Sequence, residues 1–151
     1  MRLLIFLLIS FPAYAEYEFE KSKYQENTTC EGMIGTWYTD VNIASETDGN
    51  VRHITKLVRN ADGSAQLTGL SIYLDLAEVN PWQFSSAWSC DGEWYTEMNE
   101  WGYTSFKIVV LGSENILSDE LGNLGANKIM ITETPNIDFN NQVIAQYFDS
   151  K

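Results

Sequence analysis

The chain offers few groups suited to catalysis. Its single histidine, His53, alternates with Val51, Thr55 and Leu57 on a stretch that reads as a strand, opposite Ile54 and Val58. A lone strand histidine outside any nucleophile or metal motif reads as structural. No G-x-S-x-G elbow, H-E-x-x-H pair, P-loop or G-x-G-x-x-G turn occurs. Carboxylates are plentiful, so a glycosidase-type pair stays open on composition alone. However, Asp48, Asp62 and Asp91 each precede a glycine and belong to turns. Two cysteines with one histidine do not make a zinc site, and no segment has the spacing of a calcium-binding loop. The sequence therefore predicts no catalytic residue, no metal site, no cofactor and no enzyme activity.

The two cysteines, Cys30 and Cys90, are expected to form one structural disulfide, because residues 1–15 read as a signal peptide for export to the periplasm or medium. Arg2 precedes an apolar run from Leu3 to Phe11, and Pro12 breaks it before the small-x-small triplet Ala13-Tyr14-Ala15. That run is shorter than the roughly 20 residues a membrane-spanning helix needs. In an oxidising compartment such a pair defaults to a bridge. Residues 16–31, rich in Glu, Lys, Gln and Thr, read as a lead-in segment, and 32–151 as one β domain. The net charge of −12 argues against nucleic acid or an anionic membrane as partner. It suits solubility or a basic protein partner.

Aromatic residues carry the strongest binding signal. All five tryptophans lie between Trp37 and Trp101. Trp82, Phe84, Trp88 and Cys90 alternate onto one face of a strand and are expected inside. In the next strand Trp94 and Met98 point one way, and Tyr95, Glu97, Asn99 and Trp101 the other. That polar pattern makes Tyr95 and Trp101 candidate surface aromatics for a sugar or a partner protein. Leu70, Ile72, Leu74 and Leu76 alternate together while Leu67 falls out of phase, which predicts a β-bulge at Gly69.

Turn dipeptides set the framework that would position these rings. Asp48-Gly49, Asp62-Gly63 and Asp91-Gly92 punctuate short alternating segments in the manner of an antiparallel meander. Strands are expected at 33–41, 51–59, 64–76, 82–90, 94–101, 105–111, 128–134 and 143–148, with a short helix at 113–122. The fold class is all-β, an antiparallel up-and-down barrel of about eight strands with one short helix, or alternatively a β-sandwich.

Met33-Ile34-Gly35-Thr36-Trp37-Tyr38 resembles the opening strand of lipocalins and lipocalin-like exported domains, where G-x-W begins the barrel. The resemblance implies that Gly35 and Trp37 are structural, with Trp37 packing across the closed end. It also implies an interior that encloses a small apolar ligand. Inward positions such as Leu70, Ile72, Trp82, Phe84 and Trp88 would line that cavity. The chain departs from the pattern in lacking a late arginine; beyond Arg2 it has only Arg52 and Arg59. The leading expectation is a non-enzymatic binding protein for a small apolar molecule. The alternatives are a module that binds another exported protein, such as an inhibitor of a basic hydrolase, and a carbohydrate-binding module.

Overall fold

The hairpins form where aspartate and glycine share a turn. Gly49, Gly63 and Gly92 all take positive φ, at +69°, +84° and +91°, a conformation in which a Cβ would be strained. Asp62 and Asp91 each accept backbone N–H groups just beyond the turn, from Ser64 in one case and from Glu93 and Trp94 in the other. The computed structural model describes residues 28–124, 129–135 and 138–148. The expected signal peptide and residues 16–27 of the expected lead-in lie outside them.

A 3-10 helix, Thr28–Met33, leads into strands β1 Gly35–Ser45, β2 Gly49–Arg59, β3 Ser64–Tyr73, β4 Glu78–Cys90, β5 Trp94–Asn99, β6 Gly102–Val110, β7 Asn115–Ser118 and β8 Met130–Glu133. Helix α1, Asp138–Phe148, follows. The strands pair in sequence order, each antiparallel to the next. Tyr38 and Thr134 then exchange backbone hydrogen bonds of 2.9 and 3.0 Å, drawing the chain's end back to β1. The result is an up-and-down, nearly closed eight-stranded barrel with one short helix, not a sandwich.

Two expected elements change type. Residues 143–148, expected as a strand, belong to α1, because Val143, Ile144 and Phe148 fall on one helical face against the sheet. Residues 113–122, expected as a helix, contain β7 instead. There Leu117 enters the core and Asn115 lies opposite Glu133, so pairing with β8 overrides the local helical spacing.

The inner face is built from Met33, Leu57, Ala65, Leu67, Trp88, Tyr95, Phe106, Leu117 and Ile131. A smaller cluster lies outside the barrel, where Ile54 and Leu70 meet Ile144 of α1. Strand β3 therefore buries both faces, Leu67 inward and Leu70 outward. Its register with both neighbours is continuous through Gly69, so the expected bulge does not form. The glycine serves packing instead: a Cβ there would lie 2.4 Å from the Trp82 indole and 2.8 Å from the Ile54 carbonyl oxygen. Gly69→Ala is expected to displace Trp82 and cost about 1–3 kcal/mol, read from urea midpoints. An unchanged midpoint would show that the indole can move freely.

Arg59 crosses the interior from β2 to Glu133 on β8. Its guanidinium donates to both carboxylate oxygens, at 2.9 and 2.5 Å, and sits 4.3 Å above the centre of the Tyr95 ring. Asn115 donates to the same carboxylate at 3.1 Å. Burial pulls the Arg59 pKa down, but the neighbouring Tyr95 and Glu133 more than offset it and leave the guanidinium firmly charged. Arg59→Met strands a buried carboxylate and is expected to lose about 3–5 kcal/mol. Removing both charges in Arg59→Met/Glu133→Leu is expected to recover most of that loss in the same unfolding assay. Equal losses in the single and double variants would contradict this account.

Candidate functional site

The barrel has a packed end and an accessible end. At the packed end the 3-10 helix inserts Met33, which is fully buried, and Cys30 is bridged to Cys90 with 6.1 Å between Cα atoms. Trp37 packs here, donating its indole N–H to the Met33 carbonyl at 3.0 Å. Gly35 lies beside it, paired with Arg59. Trp88, also buried, donates to the Asn60 carbonyl at 3.0 Å. These residues and the Arg59 layer close the floor.

Above that floor the wall is uneven. Strands β1 to β4 are long, but β5 pairs only with Ala87–Cys90 of β4. On the inner face of the longer strands Val41, His53, Thr55, Tyr73, Trp82 and Phe84 are only half-buried, whereas Thr39, Ile43, Val51 and Ser71 between them are buried. Inward-facing side chains of a filled small barrel would be covered completely, so solvent reaches this part of the interior.

The rings here are held in place. Trp82 stacks with Phe84, centroids 5.4 Å apart, and Trp101 meets Phe84 edge-on at 5.2 Å. The Trp82 indole donates to the Ser71 hydroxyl at 3.0 Å, and the same hydroxyl lies 3.1 Å from Nδ1 of His53. Burial lowers the His53 pKa, opposed in part by the charge of Asp48, so the imidazole is neutral at pH 7. A neutral ring whose Nδ1 accepts the Ser71 hydrogen carries its own proton on Nε2.

Of the residues expected to line a cavity, the structure brings together Trp82 and Phe84, with Trp88 in the floor below. Leu70 and Ile72 do not join them. They point outward under α1, because their parity along β3 is opposite to that of Leu67 and Ser71. Of the expected surface aromatics, Trp101 is 71% exposed, whereas Tyr95 is 2% exposed and inward-facing. The polar face of β5 is the inner one, since Tyr95 lies under Arg59 and donates its hydroxyl to Glu97 at 2.8 Å. Burial raises the Glu97 pKa, the Tyr95 hydrogen bond opposing it.

His53 and Ser71 were not among the expected cavity residues. Their partnership has a trace in the sequence: both are equidistant from Asp62, the centre of the β2–β3 turn, so a tight hairpin places them opposite each other. A second recess of about 260 Å³ lies on the outer face between α1 and the sheet, lined by Lys56, Thr68, Gln83, Ile144 and Phe148 among others. Among the described residues that line it, Phe148 is the only aromatic one.

Among the described residues, no group of three or more His, Cys, Asp or Glu side chains is arranged to hold a metal ion. No helix among the described residues is long and apolar enough to cross a membrane. The sequence matches no protein-family model, and no curated protein matches it significantly.

His53 supplies a pH test. Its folded-state pKa lies below the ordinary 6.5, so between those values the unfolded chain binds the extra proton. The histidine's contribution is complete above pH 6.5 and is lost as pH falls toward the folded value. Wild type is expected to lose stability to urea between pH 7 and 5 more steeply than His53→Gln. Parallel curves would show that burial does not hold the imidazole neutral.

Proposed function

We propose that this chain is an exported, non-enzymatic binding protein of lipocalin-like type that holds a small apolar molecule in the accessible half of its barrel. The observation that carries this reading is that inward-facing Trp82 and Phe84 are only partly buried above a packed floor. Concave sites dominated by aromatic surface with a few fixed polar groups are the usual form of small-molecule pockets. The G-x-W segment at the closed end and the up-and-down meander order support the lipocalin-like reading. The disulfide is compatible with export.

A second reading draws on a different observation. Leu74, Leu76, Trp101 and Tyr103 are 53%, 68%, 71% and 73% exposed, and they sit on or beside the turns at the accessible end, among Asp75, Glu78 and Glu100. Apolar side chains ringed by carboxylates suit a basic exported protein. A sugar stacked on Trp101 is a third use of the same surface.

The fluorescent apolar probe N-phenyl-1-naphthylamine separates these. Saturable enhancement of its emission is expected with wild type. Trp82→Leu is expected to weaken binding at least tenfold and Trp101→Ala several-fold, with thermal melts confirming that both fold. Tyr103→Ala should leave the titration unchanged. Non-saturable enhancement, or equal binding by wild type and Trp82→Leu, would remove the interior site and favour the surface readings.

A further inference from the structure

The polar groups beside Trp82 specify what kind of apolar molecule the site takes. Trp82 has little freedom, because Gly69 receives the edge of its indole and Ser71 accepts its N–H. Phe84 stacks against it with 25° between the ring planes. Together they form a preset flat wall, and such a surface favours a planar ring over a flexible chain.

Ser71 connects this wall to the histidine. The hydroxyl accepts from the Trp82 N–H and lies 3.1 Å from Nδ1 of His53; in the tautomer whose proton is on Nε2, it donates its own hydrogen to Nδ1. In that arrangement the Nε2–H projects from the side of the imidazole away from Ser71. Among the described residues no group accepts from it. His53 is inward-facing and half-buried, and the Ser71 hydroxyl between it and Trp82 links it to the aromatic wall, so the donor and the wall face the same interior. Water within reach satisfies such an N–H in the empty site, so a ligand that displaces the water must supply an acceptor in its place.

We propose that the ligand is an uncharged planar ring molecule bearing a carbonyl or comparable oxygen, with its face on Trp82 and Phe84 and its oxygen accepting the Nε2–H of His53. The proposal rests on the interior site put forward above. An uncharged acceptor is the appropriate class for two reasons. The imidazole offers a neutral donor and not a cation, and the chain's net charge of −12 repels anionic ligands. Trp101, edge-on to Phe84 and largely exposed, then covers the outer rim of the bound ring.

The test compares two molecules of nearly equal shape by equilibrium dialysis: 2-methyl-1,4-naphthoquinone, which has two carbonyl acceptors, and 2-methylnaphthalene, which has none. No described cysteine is free to react with the quinone. Wild type is expected to bind the quinone about five- to tenfold more tightly, the gain of one hydrogen bond. His53→Phe should abolish that preference and leave the hydrocarbon's affinity within twofold. His53→Gln, which retains an N–H donor, should restore part of the preference and guards against misreading a folding defect.

Equal affinity for both molecules in wild type would overturn the proposal. So would parallel loss of both in His53→Phe when His53→Gln binds like wild type, since the histidine would then be acting only as filler. If neither molecule binds while N-phenyl-1-naphthylamine still saturates, this ligand class is wrong and the interior site survives. If all three fail, the interior site falls as well.

Discussion

The buried pair of Arg59 and Glu133 is the constraint around which the barrel is arranged. It joins the second strand to the last, 74 residues apart, where Tyr38 and Thr134 supply the only described backbone bridge between β1 and the chain's end. Two charges removed from water cost several kcal/mol each, and bidentate geometry with further donors is what makes the arrangement tolerable. Asn115 donates to the carboxylate and the Tyr95 ring faces the guanidinium. A barrel that failed to close would leave one of these charges unmatched in an apolar interior. The pair thus penalises alternative closures of the sheet more than it adds net stability.

That polar layer also divides the interior. Around and beneath it the 3-10 helix, the Cys30–Cys90 bridge, Trp37 and Trp88 seal the barrel with apolar packing and indole-to-carbonyl hydrogen bonds. In the chain-entropy view a bridge spanning 60 residues contributes about 4 kcal/mol. Above the layer the long strands β1 to β4 extend past the short β5, and their inner side chains are left within reach of solvent. The same inequality of strand lengths brings Trp101, on the β5–β6 turn, against Phe84. The fixed rings and the neutral histidine are therefore consequences of a wall that is tall on one side and short on the other.

The sequence was readable wherever the physics was local. Asp-Gly turns fixed hairpin positions because few other dipeptides take positive φ so readily. Alternation placed Trp82, Phe84 and Trp88 on one face. Reading failed where a contact between distant segments decided the outcome. Residues 143–148 and 115–118 each hold a short apolar run that suits helix or strand equally well, and only their partners, the outer sheet and β8, settle which forms. Leu70 and Ile72 look like core residues, which they are, but their core is the one beneath α1.

By itself, then, the sequence determined an all-β meander, its turns, its pairing of Cys30 with Cys90 and the concentration of aromatic rings on β4. Each of these follows from backbone preference, side-chain period or the presence of just two thiols. Tertiary structure decided which face of each strand is inside. The strand carrying Tyr95 and Glu97 shows why: polarity normally marks the solvent side, but a buried arginine across the barrel makes the polar face the inner one. The joining of His53, Ser71 and Trp82 was also a tertiary decision, since three strands had to reach their final register before one hydroxyl could serve both rings.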